Sequence, residues 1–180
     1  MSDRAVTIRP YQDGDLEALK DITVICFENV SIDANIERRF GRVGEHDWKW
    51  RKARHIDDDV AAHPQGVFVA EAGGDVVGYI TSRADDESKV GWIPNLSVLP
   101  RMQGQGIGRA LMERCLAYFR DAGMRLAKIE TLMQNDVGST FYPSVGFQEV
   151  ARQIHYAMPL TGTDQGDEQR DATPQGHQPG

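Results

Sequence analysis

The chain has 180 residues and a formal net charge of −7, with 20 Lys and Arg against 27 Asp and Glu. This length suits a single domain, and the acidic balance argues against a general nucleic-acid-binding surface, which needs basic residues to meet phosphates. The sequence contains no apolar run of about 18 residues that could span a membrane, and its two cysteines, Cys26 and Cys115, predict neither a disulfide framework nor a metal site.

The predicted elements alternate between strand and helix patterns along the chain. Alternating apolar residues mark the strands, and apolar residues at helical spacing mark the helices. In chain order they are a strand at 6–8, helices at 15–27, 31–42 and 45–62, a hairpin at 67–71 and 76–80, a strand at 90–98, a helix at 108–122, a strand at 126–133, a helix at 138–144 and a strand at 148–158. This order predicts a mixed α/β fold, with a mostly antiparallel central sheet flanked by helices.

The composition changes abruptly after Leu160. Residues 161–180 are rich in Gly, Gln, Asp, Pro and Thr and contain no apolar residue larger than Ala172. Such a segment buries too little surface to offset the entropy of ordering it. The sequence therefore predicts one domain at 1–160 and a disordered C-terminal tail at 161–180.

A glycine-rich loop joins the 90–98 strand to the 108–122 helix. Its glycines, Gly104, Gly106 and Gly108, allow successive N–H groups to converge on an anion at the start of a helix. The loop lacks the Gly-Lys-Ser/Thr of a Walker loop, and Arg109 or Leu111 stands where a dinucleotide fingerprint needs its third glycine. A pyrophosphate remains the expected ligand, and the alternative is a connection that only turns a corner.

The loop resembles the acyl-CoA loop of the Gcn5-related N-acetyltransferase (GNAT) superfamily, whose signature is Arg/Gln-x-x-Gly-x-Gly/Ala after a strand ending in Val-x-Pro. Gln103, Gly106 and Gly108 occupy the signature positions, and Val98 and Pro100 end the strand.

A second segment, 135–147, resembles the closing motif of the same superfamily, Asn-x-x-Ala-x-x-Leu-Tyr-x-x-x-Gly-Phe. Two positions depart from it: Gly138 replaces Ala, and Pro143 follows the Tyr, where it could shorten or kink the helix. The positions in register are Asn135, Phe141, Tyr142, Gly146 and Phe147.

The resemblance implies the GNAT-like acyl-CoA N-acyltransferase fold, with the 92–98 and 126–133 strands splayed apart around the pantetheine arm of acetyl-CoA, and no metal. Tyr142 is implied as the general acid, because a phenol with a pKa near 10 can protonate a departing thiolate. The implied cofactor-binding residues are Leu96, Val98, Gln103, Gly104, Gln105, Gly106, Ile107, Gly108, Arg109 and Asn135.

Some residues in and near the implied site could have a purely structural role instead. Asn135 precedes a helix and is equally well placed as its N-cap, and Tyr142 could be a core residue beside Phe141. Pro94 fits either a splayed strand or a plain strand end. Arg109, like Arg101, could meet the 3′-phosphate of CoA or simply be solvated.

The general base is not apparent, because residues 92–95 contain no carboxylate. In some relatives a Glu on this strand takes that role. Four substitutes are open: Glu130, Glu28, His155 and a water held by Asn95. An amine deprotonated through a chain of water molecules would need no side chain at all.

The implied function is transfer of an acetyl group from acetyl-CoA to a primary amine by direct attack, without a covalent enzyme intermediate. The acceptor is a small molecule or a peptide amine, and residues 28–63 are the region expected to bind it. In that region, Trp48, Trp50 and an Asp run at 57–59 could line a pocket or lie in solvent. An acyl-CoA with an acyl group longer than acetyl is an alternative donor. The alternative function is an acyl-CoA-binding sensor or regulatory module. We expect a cytoplasmic protein that binds neither nucleic acid nor membrane and could form a homodimer.

Overall fold

A computed structural model describes residues 5–160; the predicted tail at 161–180 lies outside the described residues. Among the described residues, no helix has the length and apolar character needed to cross a bilayer. The elements are β1 (Val6–Pro10), α1 (Leu16–Phe27), α2 (Ile32–Phe40), α3 (Trp48–Ala62), β2 (Phe68–Ala72), β3 (Asp75–Asp85), β4 (Val90–Val98), α4 (Ile107–Asp121), β5 (Leu126–Ile129) and α5 (Asp136–Ser144).

The strands form one five-stranded sheet in the order β1-β2-β3-β4-β5. The first four strands pair antiparallel, and β5 pairs parallel to β4. The predicted hairpin is confirmed, and Gly73 and Gly74 form its turn with φ of 64° and 90°, as a two-residue hairpin loop requires. The mixed α/β class and the mostly antiparallel sheet are confirmed.

Helices cover both faces of the sheet. On one face, Tyr79 of β3 shares a hydrogen bond of 2.6 Å with Thr23 of α1, and Thr81 donates to Asp59 of α3 over 2.7 Å. On the other face lies α4, whose apolar stripe of Ile107, Leu111, Met112, Cys115 and Phe119 is buried. The core therefore consists of two layers, and the ends of β4 and β5 lie between them.

Two predicted strands differ from the structure. The 126–133 strand ends at Ile129, so residues 130–133 lie in no ladder. The predicted strand at 148–158 is wrong, since residues 148–160 have no strand assignment and Val150 is 97% exposed. Alternating apolar residues indicate which side of a strand would be buried, but a strand also needs a hydrogen-bonding neighbour, and here it has none among residues 5–160.

Candidate functional site

The sheet opens between β4 and β5. The two strands pair from Val90 opposite Leu126 to Ile93 opposite Ile129, where β5 ends. β4 continues to Val98, and within residues 5–160 no strand pairs with this side of its last five residues. The result is a gap with an exposed row of main-chain donors and acceptors along one wall.

The main chain of Leu96 and Val98 points into this gap. The amide of Leu99 donates to the carbonyl of Val77, on the β3 side, over 2.9 Å. Because successive residues of a strand direct their N–H and C=O groups to opposite edges, Leu96 and Val98 direct theirs away from β3. The Val98 carbonyl accepts a hydrogen bond of 2.9 Å from Gln103 Nε2, so two residues predicted to bind one ligand already contact each other.

Pro94 lies in a β-bulge at the mouth of the gap. Thr81 pairs with Asn95 and Arg83 with Trp92, so β4 contains one more residue than β3 over this stretch. Proline cannot donate to a ladder and is tolerated at such a position. Pro94 is therefore not at a strand end, because β4 continues to Val98. It lies where β4 separates from β5, which is the first of the two alternatives considered for it.

The glycine loop follows β4 and opens α4. Gly104 and Gly106 have φ of 76° and 80°, a region that costs a residue with a side chain about 1–2 kcal/mol. The first bond of the helix runs from the Ala110 amide to the Gly106 carbonyl over 3.0 Å. The amides of Ile107, Gly108 and Arg109 therefore have no acceptor within the helix and are available to an anion.

Seven of the predicted cofactor-binding residues, 103–109, thus lie together at the start of α4. Ile107 is buried, so only its N–H can serve a ligand. The Arg109 guanidinium donates to Ser144 of α5, to the main-chain carbonyl of that serine over 3.4 Å and to its hydroxyl over 3.5 Å. The loop therefore adjoins α5, the helix with the second motif.

Asn135 is the N-cap of α5. Its Oδ1 accepts from the Gly138 amide over 3.0 Å, and its Nδ2 donates to Thr131 Oγ1 over 3.0 Å. The N-cap alternative is therefore correct, and one N–H of the amide is left for a ligand. The same contacts explain Gly138: a Cβ there would lie 2.6 Å from Thr131 Oγ1 and 2.8 Å from Asn135 Nδ2.

Tyr142 is half-buried on α5 between two aromatic rings. The Phe141 and Phe147 rings meet it edge-on, at centroid distances of 5.6 Å and 6.2 Å. Burial raises the pKa of the Tyr142 hydroxyl to about 12. The helix continues through Pro143 and ends one residue later at Ser144, so Pro143 closes α5 without displacing Tyr142 from it.

None of the proposed bases has a free, buried carboxylate or imidazole. Glu130 is exposed and accepts from the Trp92 indole over 3.1 Å and from Lys128 over 3.3 Å. Glu28 and His155 are exposed, and His155 lies in no strand. Asn95 is 4% exposed, and its side chain is bonded to two residues of α3.

Those two residues are Lys52, which no sequence pattern singled out, and Asp59, which was considered only as part of the Asp run at 57–59. Lys52 Nζ donates to Asn95 Oδ1 over 2.8 Å, and Asn95 Nδ2 donates to Asp59 over 2.7 Å. The Asp run at 57–59 is therefore not uniformly solvated, because Asp59 is 4% exposed. Lys52, Ile56 and Asp59 are spaced i, i+4 and i+7, which places them on one helix face. Two of the three are charged, and charged residues are usually exposed, so no local signal identifies them as buried.

One part of the predicted acceptor region, on α3, forms a wall of a groove with a volume of about 690 Å³, and α1, outside that region, forms the other wall. Trp50 lies in it, 43% exposed and stacked on His46 at 3.8 Å. Acidic and basic side chains alternate along its walls, and Lys20 pairs with Asp57 at 2.9 Å. The residues that line the groove belong to α1 and α3, and none belongs to β4 or β5.

Comparison with known proteins identifies relatives. The acetyltransferase (GNAT) family model matches residues 18–147. An aminoglycoside N(6′)-acetyltransferase type 1 of Stenotrophomonas maltophilia is 32% identical over 102 residues, covering 52% of this chain and 67% of that protein. A mycothiol acetyltransferase of Cellulomonas flavigena is 32% identical over 109 residues, covering 56% of this chain and 31% of that protein.

Solved structures share the fold. The PaiA N-acetyltransferase of Thermoplasma acidophilum, in complex with coenzyme A, superposes with a TM-score of 0.65 at 18% identity, covering 80% of this chain and 90% of that one. The curated relatives match over about one third to two thirds of their own length.

Proposed function

Because this chain belongs to the acetyltransferase (GNAT) family, we propose that it transfers the acetyl group of acetyl-CoA directly to a primary amine. One observation carries the proposal: the open edge of β4 leads, through a 3-10 turn at Pro100–Met102, to the glycine loop and to three α4 amides that have no acceptor within the helix. The gap suits an extended chain with amides, and the loop suits the phosphates at the end of that chain.

The gap would hold the pantetheine arm as an additional strand. Leu96 and Val98 offer main-chain donors and acceptors of the kind that amides of the arm require. The Val98 carbonyl already accepts from Gln103 Nε2 at 2.9 Å and from Cys26 Sγ at 3.5 Å, so the arm would bind the Val98 N–H and the main chain of Leu96. Asn135 would add its remaining N–H from the opposite side.

The pyrophosphate would lie on the amides of residues 104–109, since the Gln103 amide already donates to the Pro100 carbonyl over 3.3 Å. Charge-assisted hydrogen bonds from backbone amides contribute about 1.5–3 kcal/mol each, and the positive end of the α4 dipole adds to them. Such a site needs little positive side-chain charge, which is consistent with a net charge of −7. Arg109 holds the loop against α5 and adds one cation.

Tyr142 would act as the general acid. As the amine nitrogen bonds to the acetyl carbon, the carbon–sulfur bond breaks and the sulfur takes a proton from the Tyr142 hydroxyl. The amine releases its own proton to water, and water reprotonates the phenolate. Since burial raises the pKa of Tyr142 to about 12, the hydroxyl carries its proton throughout the neutral range.

The acceptor would be a small-molecule amine. This choice is supported by the relatives named for aminoglycoside and mycothiol acetylation, which match about half of this chain. The acceptor would approach β4 from the side of α1 and α3, where Asn95 and Trp92 lie. A peptide amine is the second acceptor class to include in the test.

Release of free thiol from acetyl-CoA in the presence of an amine panel tests the proposal. The panel contains aminoglycosides, amino sugars, polyamines and peptides with a free N-terminus or lysine. We expect thiol release that depends on the enzyme and on one class of amine. Acetyl-CoA binding without thiol release for any amine would contradict the proposal and indicate an acyl-CoA-binding sensor instead.

A further inference from the structure

An ammonium group is buried beneath the bulged part of β4 without a carboxylate partner. Lys52 is 9% exposed, and its Nζ contacts the Asn95 carboxamide oxygen at 2.8 Å and the Phe27 ring at 4.2 Å. Among residues 5–160, no carboxylate oxygen lies within 4.0 Å of this nitrogen. Burial lowers the pKa of Lys52, and the more distant Asp33 and Asp59 oppose that shift. A cation in this position is costly to fold stability, which points to a role outside stability.

The two carboxylates that oppose the lowering of the Lys52 pKa, Asp33 and Asp59, are each paired with an arginine. Asp33 lies 3.5 Å from Arg51. Asp59 accepts from Arg83 at 2.7 Å through one oxygen and from Thr81 and Asn95 at 2.7 Å through the other. Its charge is therefore paired with Arg83. Lys52 and Asp59 together hold both ends of the Asn95 carboxamide, so that side chain has one orientation fixed by α3.

Asn95 is the residue where the ladder resumes after the bulge. The extra residue of β4 lies between Trp92 and Asn95, and β5 no longer pairs with β4 beyond Ile93. The strand has lost support from β5 here and is irregular on the β3 side. The clamp formed by Lys52 and Asp59 therefore acts where β4 has a bulge on one side and no partner strand on the other, one residue before Leu96.

We propose that Lys52 is a positioning residue for acyl transfer, which acts through Asn95 to hold the bulged segment of β4 so that the Leu96 main chain points into the gap. The inference rests on the proposed function, because Leu96 matters for the reaction only if the gap holds the acyl donor. A small misplacement of such a group can reduce a rate by about a hundredfold.

The variant Lys52→Met keeps the length of the side chain and removes its donor. We expect kcat to fall about tenfold to a hundredfold with KM for acetyl-CoA changed less than threefold, because the phosphate loop is untouched. The control is Ile56→Val, one turn away on the same face of α3 and fully buried, which loosens packing without removing either hydrogen bond to the Asn95 carboxamide. A kcat for Lys52→Met within twofold of wild type, or an equal loss in Ile56→Val, would overturn the proposal.

A double-mutant cycle tests whether Lys52 acts through Asn95. In an Asn95→Leu background, which has a similar shape without the carboxamide, we expect Lys52→Met to change kcat less than twofold. An undiminished effect in that background means that Lys52 acts by another route, and the proposal is then wrong.

A measurement without turnover separates this inference from the proposed function. In protein labelled with ¹⁵N-leucine, the Leu96 amide signal should move in Lys52→Met and stay in place in Ile56→Val. If wild type releases no thiol with any amine, the proposed function fails, while the Leu96 signal still decides the positioning role. A Leu96 signal that is unchanged in Lys52→Met contradicts the role whether or not the enzyme turns over.

Discussion

Replacement of Gly106 by Ala tests the phosphate loop, and replacement of Gly123 by Ala is a control with similar backbone strain. Gly106 has φ of +80° and Gly123, at the other end of α4, has φ of +74°, and an added Cβ meets nothing within 4 Å at either position. Each substitution should therefore cost about 1–2 kcal/mol, which lowers Tm by a few degrees for a domain of this size, at about 2–4 °C per kcal/mol. Gly123 lies about 20 Å from the loop along the helix.

Only Gly106→Ala should also weaken acetyl-CoA binding. The added methyl group and the shifted φ disturb amides that would face the pyrophosphate, and loss of one charge-assisted bond at about 1.5–3 kcal/mol weakens binding about 10- to 150-fold. At a ligand concentration of about 100 Kd, wild type gains about 2.7 kcal/mol. A 30-fold weaker variant gains about 0.9 kcal/mol by the same relation.

The assay is the acetyl-CoA-dependent rise in Tm for wild type, Gly106→Ala and Gly123→Ala. Gly108→Ala adds a second control, because a Cβ there would make only ordinary contacts with Phe141 at 3.8 Å and Val98 at 4.0 Å, and the family signature accepts Ala at this position. We expect a reduced ligand-dependent rise in Gly106→Ala alone. Equal rises in Gly106→Ala and Gly123→Ala would refute the assignment of the loop.

Three further outcomes follow from the structure. Tyr142→Phe should lower kcat at least tenfold with unchanged acetyl-CoA affinity. The control Tyr156→Phe, at a residue that is 89% exposed, should leave kcat unchanged. Equal kcat values in the two variants would reject Tyr142 as the acid. Because the pKa of Tyr142 is raised to about 12, its acid form is lost only as pH approaches that value, so a loss of kcat below about pH 10 that disappears in Tyr142→Phe would contradict the role. Arg9 donates to Asp15 at 2.7 Å and 2.9 Å and lowers the pKa of that carboxyl. Asp15→Asn should therefore lower Tm at pH 7, and the Tm difference from wild type should shrink as pH falls through the lowered folded pKa. A Tm difference that does not change with pH would show that charge is not involved.

The glycine loop and α4 could be predicted because their signals are local. Gly104 and Gly106 adopt the positive φ that their residue type allows, and Ile107, Leu111 and Cys115 repeat at helical spacing. Pro94 also reports directly on backbone pairing, because a residue without an N–H is restricted to a bulge or an edge. These residues position the loop and the gap.

The clamp around Asn95 and the end of the sheet could not be predicted with the same rules. Lys52 and Asp59 have charged side chains, which are usually at the surface, and only their contacts with β3 and β4 explain their burial. At 148–160 the alternation of apolar residues is clear, but it does not say whether a neighbouring strand is in reach. Both features depend on contacts between segments distant in sequence.

Amide chemical shifts of ¹⁵N-labelled protein during titration with acetyl-CoA test the central claim most directly. Acetyl-CoA in the proposed position should shift the amides of Leu96 and Val98 in the gap and those of Gly104, Gly106 and Gly108 in the loop, at one common Kd. Saturation that leaves these five signals in place, or shifts confined to the groove between α1 and α3, would contradict the proposed site.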